Sequence, residues 1–282
     1  MNERYELLAP IAEGGLGAVF RARDTHLGRD VAVKRILNGK SGGCGTAVDA
    51  LIREARLQSI LVHPNIVAVY DYGVDAEGGF IVMELVPGET LEDVIMRGAL
   101  PANDFDALVR QTLEGMRAVH AKGLLHLDLK PGNLMLHRLP EGGLQVKILD
   151  FGLAKNTPQG ERQNESPCQG LPGSIHFMAP EQFERAALNV RTDLYSLGCL
   201  FYYALTQQHP FEGDTKPQVM VAHLHPRTRP LATLRPDLPA STVKWVEWLI
   251  NRLPTNRPAS VAEALRFYAA GAGGTAPPVA GV

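Results

Sequence analysis

The spacing of apolar positions changes along this chain, and the change divides it. Near the start, residues 18–23 and 30–37 are short runs suited to strands, separated by Asp24-Thr25-His26-Leu27-Gly28-Arg29, a polar segment with turn chemistry. A hairpin is expected. In the second run a period of two puts Ala32 and Lys34 on one face and Val31 and Val33 on the other. Lys34 therefore projects from an apolar sheet, where a lysine without a carboxylate partner carries a heavy desolvation cost. A Gly-rich stretch, 38–45, then leads to Thr46 and Asp49, which have the spacing of a capping box. Val48, Leu51, Ile52 and Ala55 follow at helical intervals, with Glu54 on the edge of the stripe. Residues 80–85 form another strand-like run, closed by Val86-Pro87-Gly88.

Beyond that connector the pattern is mainly helical. Phe105, Leu108, Val109, Thr112, Met116 and Val119 keep helical spacing up to a stop at Gly123. Strand character returns at 133–136 and 144–149, where Leu144, Val146 and Ile148 alternate with polar positions, and Glu141-Gly142-Gly143 provides a turn between them. From Gly271 the chain holds only Gly, Ala, Pro and Val apart from Thr275, so 269–282 is expected to be a flexible tail.

Composition narrows the function classes. A length of 282 residues fits two domains or one bilobal domain at about 150 residues each. With 28 Lys+Arg against 30 Asp+Glu, no net field draws the chain to nucleic acid or anionic lipid. The densest apolar run, 194–205, is interrupted by Ser196 and Gly198 and falls short of the about 20 residues a bilayer needs. No secretory signal is visible at the N-terminus. Cys44, Cys168 and Cys199 lie far apart without a CxxC pair, so a reducing cytoplasm is expected.

Gly14-Gly15-Leu16-Gly17 lies in the first strand region, where bare backbone can approach phosphate oxygens. On its own this is a weak signal, since many turns use glycine. The order of the later motifs is specific: Val31-Ala32-Val33-Lys34, then Arg53-Glu54-Ala55, then His126-Leu127-Asp128-Leu129-Lys130-Pro131-Gly132-Asn133, then Asp150-Phe151-Gly152, then Ala179-Pro180-Glu181. This series resembles the signature set of the protein kinase family over about residues 5–268. Ser174 to Gln182 and Asp193 to Gly198 look most like the bacterial, eukaryotic-like Ser/Thr members.

The resemblance implies a two-lobed α+β fold. A small antiparallel β-sheet lobe with one main helix (1–84) would be joined by a hinge (84–88) to a larger, mainly helical lobe (89–268), with nucleotide between them. It also implies ATP as phosphate donor, Mg²⁺ or alternatively Mn²⁺ as metal, and a protein hydroxyl as acceptor. Lys34 would neutralise the α/β-phosphates, held by Glu54. Asp128 would take the proton of the substrate hydroxyl, Lys130 would steady the transferring phosphate, and Asn133 and Asp150 would be the oxygen ligands of the metal. Ile11, Val19 and Ala32 would roof the adenine, Met83 would back it and Met135 would floor it. The Glu84 carbonyl and the Val86 amide would read the base edge. Ala12, Glu13, Gly14, Gly15, Leu16 and Gly17 would arch over the phosphates. His126 would be structural, packed under Phe151, and Glu181 with Arg257 would form a buried ion pair.

Three positions depart from the family pattern. Ala12 replaces the first glycine of the loop, Leu127 replaces the arginine that docks a phosphorylated activation segment, and Gln58 is polar where an apolar residue is common. Two rival functions are weaker. A small-molecule phosphotransferase has no need of Ala179-Pro180-Glu181, and a pseudokinase scaffold normally lacks one of Lys34, Asp128 or Asp150. His209, His223 and His225 have no carboxylate companion and are expected to be solvated or packing histidines, not a metal cluster. Dimerisation is left open, and the end of the chain fits a domain that a tether to the membrane could follow.

Overall fold

A computed structural model describes residues 4–14, 17–37, 44–150, 155–156, 174–226 and 228–271. The strand-like runs near the start form a five-stranded antiparallel sheet of order β1-β2-β3-β5-β4, from β1 (Tyr5–Gly14), β2 (Gly17–Asp24), β3 (Arg29–Leu37), β4 (Val69–Asp75) and β5 (Gly78–Glu84). The β2–β3 hairpin turns where expected. Gly28 takes a left-handed φ of 63°, and Asp24 Oδ1 accepts the N–H groups of His26 and Leu27. One side of the sheet buries Tyr5, Ala22, Val31, Val33, Phe80 and Val82. On the other, Ile81 packs with Leu51 and Ala55 of α1 (Cys44–Ser59), joined by Ile36, Val69 and Met83. α1 begins upstream of Thr46, so Thr46 lies inside the helix and does not cap it. The apolar stripe fixes which face of a helix is buried and leaves its first turn undetermined.

The chain divides into two compact units, Met1–Pro87 with Leu149–Ala154, and Gly88–Ile148 with Lys155–Val282. The second contains β6 (Glu89–Thr90), α2 (Leu91–Arg97), α3 (Ala102–Ala121), β7 (Leu124–Leu125), β8 (Leu134–Arg138), β9 (Leu144–Ile148) and β10 (Lys155–Asn156). After these come α4 (Pro180–Phe183), α5 (Val190–Thr206), α6 (Lys216–Leu224), α7 (Leu231–Leu234), α8 (Ala240–Leu249) and α9 (Val261–Ala270). The stripe from Phe105 to Val119 is buried along α3, and Gly123 takes a φ of 71° just after it. The strand expected at 133–136 begins at Leu134, because Asn133 ends a 3-10 turn, Pro131–Asn133, whose first residue has its φ set by the proline ring. The interrupted apolar run becomes α5, a helix buried nearly all round. An added Cβ at Gly198 would come within 2.7 Å of Leu249 and Ile250, so only glycine lets the end of α8 pack this closely on α5. α9 extends through Ala270, so the first two residues of the expected tail are helical. Residues 272–282 lie outside the described residues. Among the described residues, no helix is long and apolar enough to cross a membrane.

Candidate active site

In the small unit, register assembles the predicted residues. Ala12 pairs with Val19, Val19 with Lys34, and Ala32 with Met83. Directly opposed residues in neighbouring strands share a sheet face, so all five project to one side. Ile11 is exposed at an irregularity of β1, and Glu13 is exposed beyond it. Gly14 pairs with Gly17, where a Cβ would lie 1.8 Å from the Arg35 carbonyl oxygen. Glycine is obligatory at position 17. Gly15 and Leu16 lie outside the described residues. The Glu84 N–H donates to the Ala68 carbonyl at 2.9 Å, and Val86 is half-buried.

Lys34 leaves this face toward two carboxylates. Its Nζ donates to Glu54 Oε1 at 2.7 Å and to Asp150 Oδ2 at 2.9 Å. Burial works against the ammonium, but the charges of Asp150 and Glu54 outweigh it and hold Lys34 above its usual range. Glu54 is pushed up to about 8, chiefly by burial, with Lys34 opposing and Asp150 adding to the rise. Two carboxylates sharing one ammonium compete for it, and the more buried one gives up charge more readily.

In the large unit the loop from His126 to Asn133 closes on Asp128. Lys130 Nζ donates to Asp128 Oδ2 at 2.8 Å, and Asn133 Nδ2 donates to the Asp128 carbonyl at 2.8 Å and to its Oδ2 at 3.2 Å. Both of the latter groups can only accept, which fixes the orientation of the Asn133 amide and turns its oxygen away from Asp128. Met135 is half-buried on β8, opposite Thr90 of β6. His126 is fully buried, and its expected partner Phe151 lies outside the described residues. The Glu181–Arg257 pair is present, with Nη–Oε distances of 2.7 and 3.0 Å, and Arg257 also donates to the carbonyls of Arg191, Asn251 and Arg252. Such satisfaction lets a buried guanidinium persist.

Asp193 braces the loop that begins at His126, and sequence patterning left it without a role. Fully buried at the start of α5, it accepts the backbone N–H of His126 at 3.0 Å and of Leu127 at 2.9 Å, while His120 Nε2 lies 2.8 Å from its Oδ2. Burial tends to raise this carboxyl, but the His120 contact and the backbone donor hold it below its usual range. Leu127 has a φ of 64°, a costly left-handed conformation for a side chain of this size, and Asp193 clamps it immediately before Asp128. Only the pairing of Asp193 with the preceding histidine loop could have signalled this, and the two are separated by more than sixty residues. Leu127 itself packs with Leu125, Leu188 and Val190. Among the described residues, His209, His223 and His225 do not converge on a metal: His209 stacks between His176 and Tyr203 at 4.0 and 4.5 Å, His223 Nδ1 lies 2.8 Å from the Tyr195 hydroxyl, and His225 is exposed.

Residues 5–267 match the family model described as protein kinase domain. The serine/threonine-protein kinase pkn2 of Myxococcus xanthus is 33% identical over 265 residues, covering 93% of this chain and 32% of the relative. PknA of Mycobacterium tuberculosis is 36% identical over 263 residues, covering 91% of this chain and 58% of the relative. A probable PknB of Bifidobacterium longum is 36% identical over 246 residues, covering 84% and 35%. The chain thus spans between a third and three-fifths of the length of the curated relatives it matches.

Proposed function

The chain belongs to the protein kinase family and has its two-lobed α+β fold, and from that premise we propose that it transfers the γ-phosphate of ATP to a serine or threonine hydroxyl of a protein. The observation that carries this reading is the Asp128 carboxylate, held by Lys130 and Asn133. A base fixed in this way can accept the proton of an incoming hydroxyl, and proton transfer by a positioned group is worth about 10²–10⁴-fold in rate. Lys130 puts a positive charge beside it, suited to a phosphoryl group whose charge spreads over its oxygens in the transition state.

Lys34 binds the α/β-phosphates in this reading, and Glu54 keeps it aimed. In the same reading Ile11, Val19, Ala32 and Met83 would contact the adenine, as would Met135, the Glu84 carbonyl and Val86 amide would meet its edge, and residues 12–17 would serve the phosphates. The Asp150 carboxylate and the Asn133 amide oxygen are hard donors that would hold Mg²⁺ or Mn²⁺, which when bound would draw charge from the phosphate oxygens. Lys130 supports a serine or threonine acceptor, as do the names of the relatives. A cytoplasmic role in bacterial signalling fits the charge balance and the free, buried thiol of Cys199. Incubation with labelled ATP, Mg²⁺ and candidate proteins, followed by mapping of the labelled residues, tests the reading. Label on Ser or Thr is expected, and label confined to a small molecule would overturn it.

A further inference from the structure

Gln58 stands one turn after Glu54 and is 2% exposed. Its side-chain Nε2 donates to the Val67 carbonyl at 3.1 Å, a buried bond that joins the last turn of α1 to the segment leading into β4. We propose that Gln58 is a positioning residue for phosphate binding: this bond sets the roll of α1 that aims Glu54 at Lys34. The inference rests on the reading of Lys34 and Glu54 as the phosphate-holding pair.

Residues four apart on a helix lie on the same face, about 6 Å along the axis, so whatever fixes Gln58 also fixes the bearing of Glu54. Among the described residues, α1 also meets the sheet through the Glu54–Lys34 pair itself and a long, exposed bond from Arg56 Nε to the Tyr72 hydroxyl at 3.4 Å. Its other buried contacts, from Leu51 and Ala55 to Ile81, Ile36, Val69 and Met83, are apolar. Such contacts are non-directional and tolerate a small roll or slide of the helix, whereas a hydrogen bond weakens steeply when its angle closes. The acceptor is itself well anchored. Val67 is fully buried, and the next residue, Ala68, accepts the Glu84 N–H at 2.9 Å and donates to Glu84 Oε2 at 3.3 Å, which ties the segment to the end of β5. The Gln58 carbonyl accepts the Leu61 N–H at 3.0 Å and so closes the helix at the same residue. An apolar residue here could fill the space but could not register the helix against Val67. The 2.7 Å contact between Glu54 and Lys34 leaves little room for such freedom.

The test is a double-mutant cycle read by calorimetric titration of Mg·ATP and of adenosine. Gln58→Met keeps the length of the side chain and removes the donor, and Glu54→Gln removes the carboxyl group it is proposed to aim. The expected result for Gln58→Met is at least fivefold weaker Mg·ATP binding with adenosine affinity changed less than twofold, and no further loss when it is added to Glu54→Gln. Unchanged Mg·ATP affinity, equal losses for both ligands, or losses that add across the cycle would overturn the inference while leaving the phosphate reading standing. Unchanged Mg·ATP affinity in Glu54→Gln alone would overturn both. If Gln58→Met does not fold by circular dichroism, Gln58→Leu takes its place in the cycle with the same expected result. Failure of both variants to fold would show that the bond serves the fold, and would also overturn the inference.

Discussion

Asp150 offers the clearest separation of roles at a single residue. Its carboxylate shares Lys34 with Glu54, and in the proposed reading it would also be a hard oxygen donor to a divalent cation. In Asp150→Asn the amide oxygen is uncharged and a poorer ligand for such a cation. Mg·ATP should therefore bind at least tenfold more weakly, while adenosine, which needs no metal, should bind as before. Titration of both ligands checks this, and equal losses would mean that Asp150 shapes the pocket. Much of this site was legible residue by residue. Lys34 stood out as a lysine on an apolar strand face, and Asp128, Lys130 and Asn133 lie within one short loop. Asp193 was not legible, because its role lies in accepting two backbone N–H groups of a loop distant in sequence. Gln58 was visible only as an anomaly until Val67 was placed beside it.

Among the elements, the loop and strand around Leu127 carry a consequence for control. A phosphate on the segment between Asp150 and Glu181 orders that segment by finding a cation, usually an arginine. Here the position is an apolar side chain packed with Leu125, Leu188 and Val190, which can neither pair with phosphate nor donate to it. Fully dephosphorylated protein should therefore retain most of its activity toward a protein substrate, and changing Thr157 and Ser166 together to Ala should cost less than tenfold. Phosphatase treatment that abolishes activity, with recovery on rephosphorylation at either residue, would contradict this. Both residues lie outside the described residues. Elements with strict periodicity, such as the β2–β3 hairpin and α3, were legible from the pattern. β1 was not, because Pro10 and two register shifts interrupt its alternation. β4 points Tyr70, Tyr72 and Val74 outward, which reverses the usual sign of the apolar face.

For the whole molecule, buried neutral histidines set an acid limit to stability. Burial pushes His209 down to about 4 and His223 to about 3, with neighbouring histidines adding to the effect. An unfolded histidine takes a proton near pH 6.5, so between about 6.5 and 4 the unfolded chain binds more protons than the folded one. Stability should therefore fall as pH drops through that window. Each pKa unit is worth about 1.4 kcal/mol, so fully buried His223 alone accounts for a loss on the order of 3 kcal/mol at pH 4. Thermal melts at pH 7 and pH 4 should show a smaller drop for His223→Gln than for the unaltered chain, and parallel curves would contradict the assignment. The central claim, that the folded chain is a phosphotransferase whose base is Asp128, is tested most directly by the single-turnover rate of Asp128→Asn at saturating Mg·ATP. The expected result is a loss of about 10²–10⁴-fold in transfer to protein Ser or Thr, with the nucleotide affinity of the variant close to that of the unaltered chain. Transfer by the variant at an undiminished rate would contradict the account.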